Sequence, residues 1–524
     1  MNVEPAGPRH ATTSTRRRTV LAVGAVTLLA AVLRCWGLAD KSLWIDEAFS
    51  LWLGTQDPAA IGEHVLVLDK HPPLYYLLLH LWLSVVPGAG EVALRAFSVV
   101  FGVATVPLAY LIGRDAGGRR VGLLAAALLA VSPLHIWYGQ LGRMYAMLTF
   151  FAALATWCLV RLLTRGRALS RCDAGACWVG FAAGTTLTML SHNTAVLFPV
   201  AVGAFLAIRA VREHRRRRDP DPDPHPHPDP DSDAWPTWAY ALALGGGLAL
   251  WSVWLPGFLH QAAAVDAEFW LPAPTLTKVL EHVRDLLSAR APGELVVPLA
   301  LAAVALGALG ARRLRGRSGV ALLLVLLVVL PALGELVASV RRPVFYTQTL
   351  VWTAVPLLVL VAAGLLALCR RPGRPVAALA LGALLAVNAV SLANYYADPG
   401  VEDWRGAARY LAEQAEPGDL VIFDAAWGRI PFDHHYAAQD GPRLEVHGVP
   451  TELFERGELE PKVTPSDVPR LDGLVAGRPR VWVVYSHDWY TDPDRIVEQR
   501  LAETLVPAGG VELRSIRIEH YTGR

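Results

Sequence analysis

The sequence predicts a polytopic α-helical membrane protein of about eleven spans that carries a soluble α/β domain after its last span. Of its 524 residues 53% are hydrophobic and only 18% are charged, a balance too apolar for an ordinary soluble enzyme. Eleven apolar stretches reach the roughly 20 residues that a helix needs to cross a bilayer. Residues 395–524 instead show short helical and β-rich patterns, which indicates a separate folded domain.

Loops of two kinds separate the predicted spans. Arginine-rich loops alternate with arginine-poor ones, and the positive-inside rule places the arginine-rich loops and the N-terminus in the cytoplasm. Eleven crossings from that start put residues 395–524 outside. The spans lie near 19–38, 93–112, 121–138, 146–164, 174–190, 194–211, 236–255, 294–311, 319–340, 345–368 and 375–394. The arginine clusters lie within 114–120, 161–167, 209–218, 312–317 and 370–374.

One apolar stretch, residues 73–86, is too short for an ordinary span. If it crossed the membrane, every later loop would invert, and the clusters at 114–120 and 209–218 would lie outside, against the charge rule. We therefore predict an interfacial or re-entrant helix. The alternative is a short, tilted span.

The predicted organisation has five segments. They are a cytoplasmic tail (1–18), a membrane module (19–215) with an external loop (39–92), a Pro/Asp-rich cytoplasmic linker (216–235), a second set of membrane helices (236–394) and the external domain (395–524). The linker cannot form helix or sheet interior, although its His225 and His227 could bind a metal weakly. In the external domain we expect a helix over 401–415 and strands at 420–423, 481–485 and 511–518.

Charge and cysteine usage exclude several classes of function. The net charge is only +2, and the arginines are spread over membrane-flanking loops, so no nucleic-acid partner is predicted. The five cysteines fall in or beside membrane segments, and Cys172 and Cys177 lack the spacing of a zinc site, so neither a disulfide framework nor a zinc site is implied.

The candidate site begins with two adjacent carboxylates, Asp46 and Glu47, just after the first span. Acidic residues near hydrocarbon are functional candidates unless they are partnered. With this topology, further polar residues fall at the outer ends of spans. They are Lys70, His71, Glu91, Arg95, His135, Gln140, Arg143, Tyr145, His192, Asn193, Arg341, Arg342 and Tyr346. Carboxylates facing several cations point to chemistry on an anionic substrate, and the external arginines 341 and 342 favour phosphate.

Several of these residues have simpler interpretations. Asp46 could cap the helix that begins near Ala48, and Glu91 could pair with Arg95 four residues on. His135 and His192 could be packing residues. Arg143 could reach a lipid headgroup instead of a ligand, and Tyr75, Tyr76 and Trp82 could be interface anchors.

The order of these motifs resembles the membrane-bound sugar transferases of the GT-C class, in particular the family 39-like group of protein O-mannosyltransferases and the aminoarabinose transferase of lipid A. The resemblance covers residues 20–215 and rests beyond them on span count and layout. Its blocks are Trp44-Ile45-Asp46-Glu47, His71-Pro72-Pro73-Leu74-Tyr75-Tyr76, Glu91-x-x-x-Arg95, and Ser132-Pro133-Leu134-His135-Ile136-Trp137-Tyr138-Gly139-Gln140 followed by Arg143-Met144-Tyr145. Two departures stand out: Leu141-Gly142 replaces the usual Glu-Ala, and Phe345-Tyr346 stands where an Arg-Tyr pair is common.

The resemblance implies an inverting glycosyltransferase that moves a sugar from a polyprenyl-phosphate donor to an extracytoplasmic lipid, glycan or protein, at the cell's cytoplasmic membrane. Asp46 is the expected base, and Glu47 would orient it or help it hold a divalent cation; no other cofactor is implied. Because the leaving group is a phosphate, cations matter more than a protonated acid. The expected substrate- and phosphate-binding set is Lys70, His71, Gln140, Arg143, Tyr145, His192, Arg341 and Arg342.

Loop residues of the external domain are weaker candidates, and they suggest only that this domain shapes acceptor access. They are Asp424, Trp427, His434, His435, His487 and Asp488. Two rival functions remain open. A transporter or flippase for lipid-linked sugars should show internal repeats and charges near the membrane midplane, and neither is evident. A non-catalytic envelope scaffold should tolerate the loss of Asp46.

Overall fold

The computed structural model describes residues 13–86, 88, 90–218, 235–264, 273–316, 319–369, 373–457 and 461–523. Most of the predicted linker, with both of its histidines, and most of the predicted N-terminal tail lie outside these ranges.

Within the described ranges, seventeen α-helices precede the soluble domain. They are α1 (Thr13–Cys35), α2 (Ile45–Gly54), α3 (Pro58–Val67), α4 (Leu74–Val85), α5 (Glu91–Gly117), α6 (Arg119–Ala130), α7 (Pro133–Gln140), α8 (Tyr145–Arg165), α9 (Arg171–Ser191), α10 (Leu197–Arg218), α11 (Thr237–Trp251), α12 (Leu255–Ala264), α13 (Leu276–Ser288), α14 (Val296–Arg313), α15 (Val320–Ala338), α16 (Ala354–Leu368) and α17 (Arg374–Ala397). Within the described residues, nine helical segments are long and apolar enough to cross a membrane, with α11 and α12 forming one of them.

The count differs from the predicted eleven at two places. The stretch predicted as a span over 121–138 is two helices, α6 and α7, bent by 56° at their junction. Two neighbouring residues cause the break. The Ser132 hydroxyl caps α7 by accepting from the backbone N–H of His135, and Pro133 cannot continue α6. The second difference is at the span predicted over 174–190, which corresponds to α9. This helix is long enough to cross a membrane, but it begins with Arg171 and Asp173 and is rich in threonine, so it is less apolar than the nine candidate spans.

The external loop predicted over 39–92 folds into three short helices, α2 to α4. The apolar stretch 73–86 forms α4, whose twelve residues extend only about 18 Å, well short of a bilayer. Tyr75, Tyr76 and Leu79 of α4 are fully buried against its neighbours. A helix of this length fits the predicted interfacial position.

Glycines let the membrane helices approach closely, as is common where helices pack within a bilayer. A Cβ added at Gly113 of α5 would lie 2.8 Å from the Cα of Gly122 in α6. Between α14 and α16, a Cβ at Gly310 would lie 1.9 Å from the carbonyl oxygen of Leu360. These contacts fix the helices around the site.

The soluble domain is a five-stranded mixed sheet flanked by helices, and it confirms the predicted α/β class. Its helices are α18 (Trp404–Gln414), α19 (Arg429–Tyr436), α20 (Val468–Val475), α21 (Asp488–Thr491) and α22 (Ile496–Thr504). Its strands are β1 (Leu420–Asp424), β2 (Glu445–Val449), β3 (Arg480–Tyr485), β4 (Leu505–Leu513) and β5 (Ile516–Gly523), in the order β2-β1-β3-β5-β4. Strands β2, β1 and β3 are parallel, whereas β5 is antiparallel to both β3 and β4.

The strand predicted at 511–518 is wrong as a single element. The structure turns there, so β4 and β5 form a hairpin in which Leu513 pairs with Ile516. Ser515 in the turn has a left-handed φ of 57°, a local reversal that residue alternation does not reveal. The pattern also missed β2, whose residues Glu445 and His447 are polar.

Direct contacts join the soluble domain to the nearest ends of the membrane helices and to the loop helices α2 to α4. Beside this junction, Lys41 from the loop after α1 donates to the carbonyl oxygen of Tyr395 near the end of α17 at 2.8 Å. Arg405 of α18 donates to Glu91, at the start of α5, at 2.6 Å. Glu402 accepts from the backbone N–H of Ile45 at 3.1 Å. The domain therefore sits directly on the helix that carries Asp46 and Glu47.

Candidate active site

Helix α2 directs its two carboxylates to different places. Asp46 and Glu47 are its second and third residues, and successive side chains of an α-helix point about 100° apart. The side chain of Asp46 is 38% exposed and lines a large cavity, whereas that of Glu47 is 2% exposed. Asp46 is thus the carboxylate of the pair that can meet a substrate.

Glu47 is engaged on both of its oxygens. Arg95 donates to it from Nε at 2.9 Å and from Nη2 at 2.7 Å, and the backbone N–H of Gly142 donates at 2.8 Å. Arg95 also binds the carbonyl oxygens of Leu38, Lys41 and Ser42. Glu47 therefore anchors α2 to the neighbouring helix and loop, which suits the orienting role among those predicted for it.

A divalent cation shared by Asp46 and Glu47 does not fit this arrangement, because the ion would have to displace Arg95 or the Gly142 N–H. Among the described residues, one group of three possible metal ligands comes together, and it lies elsewhere: Glu91 with His434 and His435. We therefore derive no chemical step through a metal.

Arg143 lies close to Asp46, with its Nε 3.9 Å from the carboxylate oxygen Oδ2. The guanidinium is almost fully buried, and its Nη1 donates to the hydroxyls of Ser50 and Tyr76, both at 3.1 Å. These bonds hold Arg143 in place, which a flexible headgroup-binding arginine would not need.

A second polar group stands beside it. Asp69 accepts from the imidazole Nδ1 of His71 at 2.8 Å and from the backbone N–H of Lys70 at the same distance. Burial opposes ionisation of Asp69, but the charge and hydrogen bond of His71 outweigh it and lower the pKa of this carboxyl. The His71 ring also meets that of His192, with centroids 4.8 Å apart. The sequence search passed over Asp69, although it directly precedes the selected Lys70.

All ten residues of the predicted site line one cavity of about 1360 Å³ between the membrane helices and the soluble domain. They are Asp46, Glu47, Lys70, His71, Gln140, Arg143, Tyr145, His192, Arg341 and Arg342. They come from five separate parts of the chain, so only the fold brings them together. Their individual roles remain predictions.

Other polar residues from the sequence serve the framework. His135 is buried and bonds through Nδ1 to Arg34 at 2.8 Å, outside the residues that line the cavity. Glu91 and Arg95 approach at 3.7 Å, but their shorter partners are Arg405 and Glu47. Gln140 lines the cavity and ties three segments together, donating to two carbonyl oxygens and accepting from the hydroxyl of Tyr395 at 2.7 Å.

Besides Asp69, the charged residues of the membrane side of the cavity that were not predicted from the sequence include Glu335 and Arg290. Glu335 of α15 is a single carboxylate inside an apolar run, and it accepts from the hydroxyl of Thr349 at 2.7 Å. Arg290, just after α13, lies 4.3 Å above the ring of Trp137. An isolated acid in a span is a usable signal. Arg290 lies in a loop and had no comparable signal.

The soluble domain supplies the opposite wall. Of its six candidates, Trp427, His487 and Asp488 line the cavity. His434 and His435 lie instead against Glu91, and Asp424 is buried at the end of β1 with neither carboxylate oxygen hydrogen-bonded. Glu402, which precedes α18, also lines the cavity.

Comparison with known proteins gives one family match and several structural matches. Residues 70–220 match the sequence model of the family described as dolichyl-phosphate-mannose-protein mannosyltransferase. No curated protein matches the chain in sequence. ArnT from Cupriavidus metallidurans in the apo state is similar in structure, with a TM-score of 0.62 at 14% identity over 97% of this chain and 98% of that one.

Two further solved structures share the fold. The same ArnT bound to undecaprenyl phosphate gives a TM-score of 0.58 at 13% identity, again over 97% and 98% of the two chains. The Archaeoglobus fulgidus oligosaccharyltransferase in the apo form gives 0.53 at 14% identity, over 91% of this chain and 70% of that one. The chain therefore shares the fold of these proteins over nearly its whole length, and residues 70–220 carry the match to the family model.

Proposed function

We propose that this protein is an inverting glycosyltransferase that takes a monosaccharide from a polyprenyl-phosphate donor and places it on an extracytoplasmic acceptor. The observation that carries the proposal is Asp46, an accessible carboxylate in a cavity whose membrane side is rich in cations. The similar ArnT was solved with undecaprenyl phosphate, which supports a lipid phosphate as the donor's carrier.

The cations suit the leaving group. When the sugar departs from a phosphodiester, the bonding electron pair stays on the phosphate oxygen, and fixed positive groups stabilise that charge. Lys70, His71 and Arg143 line the cavity beside Asp46, and Arg341 and Arg342 enter it from the end of α15. We refer to these five residues as the cationic floor.

The reaction then needs a single base. The acceptor hydroxyl attacks the anomeric carbon, the bond from that carbon to the phosphate oxygen breaks, and the hydroxyl proton passes to the Asp46 carboxylate. Glu47, held by Arg95, keeps the first turn of α2 in position. One displacement of this kind inverts the configuration of the sugar carbon.

The proposed location is the outer face of the cytoplasmic membrane. The charge rule places the arginine-rich loops inside, and the soluble domain and the cavity lie together at the opposite ends of the spans. A polyprenyl tail would then remain in the bilayer while its phosphate reaches the cationic floor.

The test is donor turnover by Asp46→Asn. Purified protein in lipid is incubated with a panel of polyprenyl-phosphate sugars and a cell-envelope extract as acceptor source, and release of polyprenyl phosphate is measured. We expect Asp46→Asn to lose about 10²- to 10⁴-fold in rate, the usual contribution of a positioned base. Asp40→Asn is the matched control, because Asp40 is exposed in the same loop and outside the cavity wall. Equal turnover by the Asp46 variant and wild type would refute the assignment.

A further inference from the structure

The soluble domain lines the cavity with three side chains whose chemistry differs from that of the cationic floor. They are Glu402, Trp427 and His487, which we call the roof. Glu402 and Trp427 are 2% and 3% exposed, so both are nine-tenths buried or more. His487 lies between them, with its Nε2 3.5 Å from the Glu402 carboxylate and its ring edge-on to that of Trp427.

Buried polar atoms at this wall lack hydrogen-bond partners. Trp427 Nε1 has none, and neither does the indole Nε1 of Trp44, which lines the same cavity; Glu402 Oε1 accepts no hydrogen bond and has only the 3.5 Å approach of His487 Nε2. Buried donors and acceptors are nearly always paired, because leaving one unpaired is unfavourable. Two open donors and one open acceptor call for a ligand that can both accept and donate, as hydroxyl groups do.

Charge separates the roof from the floor. The acidic residues on the soluble-domain side of the cavity are Asp488, Glu512 and Glu402, and burial raises the pKa of Glu402 to about 7, so Asp488 and Glu512 are the carboxylates that oppose an anion there. The arginine there, Arg517, is already bonded to Glu498 at 2.9 Å and to Glu519. Burial lowers the pKa of His487, which therefore adds no positive charge near neutral pH. A phosphate would be repelled from this wall and attracted to the cationic floor opposite.

The roof is also held rigid. The second oxygen of Glu402 accepts from Trp404 Nε1 at 2.5 Å and from the Ile45 N–H at 3.1 Å. His487 is fixed by a bond between its Nδ1 and the Ser486 hydroxyl at 3.0 Å, and its φ of 59° is a conformation that non-glycine residues rarely adopt. Such preorganisation is typical of a binding surface.

We infer that the roof is the acceptor subsite and that its ligand is an uncharged saccharide, held by hydrogen bonds from its hydroxyls to Trp44, Glu402 and Trp427. The inference rests on the proposed function, because it names the acceptor class of that reaction. It also orders the cavity: donor phosphate on the floor, acceptor sugar on the roof, and Asp46 between them.

The experiment measures binding separately from turnover. Full-length protein in phosphatidylcholine nanodiscs, free of glycoside detergent, is titrated with methyl glycosides of common hexoses and pentoses and with neutral trisaccharides. A hexose 1-phosphate and a Ser/Thr-rich peptide serve as competing classes. Saturation-transfer NMR reports the contact, and we expect at least one neutral saccharide to bind while the phosphate and the peptide do not compete with it.

Variants localise that binding. Trp427→Phe removes one donor and Glu402→Gln replaces the open carboxylate, so each should weaken saccharide binding about tenfold. Trp238→Phe, on the exposed face of α11, and Glu416→Gln, on the surface of the soluble domain, are matched controls that should bind normally. Binding of the peptide or sugar phosphate in place of neutral saccharides, or unchanged binding by both roof variants, would overturn the inference.

Donor turnover, measured in parallel, separates this inference from the proposed function. Transfer to a peptide would leave the glycosyltransferase standing and remove the saccharide subsite. Saccharide binding at the roof without any donor consumption would leave a saccharide-binding site and remove the glycosyltransferase.

Discussion

Arg95 donates hydrogen bonds to both carboxylate oxygens of Glu47, at 2.9 and 2.7 Å, and both side chains are almost fully buried. The pair joins α5 to the first turn of α2, one residue from Asp46. Two acidic residues that are adjacent in the sequence therefore have different roles in the structure. Asp46 faces the cavity, and Glu47 compensates a buried arginine.

The first prediction concerns this pair. Glu47→Ala leaves the Arg95 guanidinium buried without its counter-charge, and we expect the free energy of unfolding to fall by about 3–5 kcal/mol. Thermal unfolding followed by intrinsic fluorescence measures the loss. The double variant Glu47→Leu/Arg95→Leu should recover much of it, because no lone charge remains. Glu416→Ala, which breaks an exposed pair with Arg480, should cost at most about 1 kcal/mol. A Glu47→Ala protein as stable as the Glu416→Ala control would contradict the anchoring role.

Much of this architecture could be predicted because its signals are local. Span positions follow from continuous apolar length, and the residues of the site follow from polar side chains that interrupt it. The break at Ser132 was missed because apolar composition continued through it, and the hairpin at Ser515 because alternation ran across the turn. The partner of Glu47 could not be identified from spacing. Arg95 lies four residues after Glu91, yet its short bonds go to a residue 48 positions earlier in the chain.

The second prediction separates the two arginines at the end of α15. Arg341 is exposed and lines the cavity, whereas Arg342 also donates to the carbonyl oxygen of Ala262 at 2.6 Å. Arg341→Ala should weaken binding of a short-chain polyprenyl phosphate by about ten- to a hundredfold, the value of a charge-assisted contact, without loss of stability. Arg342→Ala should weaken binding and also lower the melting temperature. Fluorescence titration and thermal unfolding measure the two effects, with Arg315→Ala, from a predicted cytoplasmic loop, as the control. Unaltered affinity in both variants would remove these arginines from the phosphate site.

The third prediction fixes the sidedness of the membrane. The five native cysteines are replaced, and single cysteines are introduced by Glu416→Cys in the soluble domain and Arg120→Cys in an arginine-rich loop. A membrane-impermeant maleimide should label position 416 in spheroplasts with sealed membranes and position 120 only after permeabilisation. Labelling of both positions from the same side would contradict the proposed topology and the extracytoplasmic location of the site.

The last prediction uses Glu402, which connects the soluble domain to α2. Burial raises the pKa of Glu402 to about 7, although its bonds from Trp404 and Ile45 act in the opposite direction. The folded protein therefore keeps a proton that the unfolded chain, with an ordinary glutamate pKa of about 4.3, has already released. Between these two pKa values the unfolded state binds fewer protons than the folded state. The free energy of unfolding therefore falls as the pH rises, by up to about 1.4 kcal/mol per pH unit, and the whole loss remains above pH 7.

Glu402→Gln removes this titration and keeps an amide oxygen to accept from Trp404 and Ile45. We expect the melting temperature of the variant, relative to wild type, to increase between about pH 5 and pH 7.5 and then level off. Glu416→Gln, an exposed position of the soluble domain, is the control. If the difference in melting temperature between the variant and wild type stays constant with pH, Glu402 is already ionised in the folded protein. The junction between the soluble domain and α2 would then hold a buried negative charge.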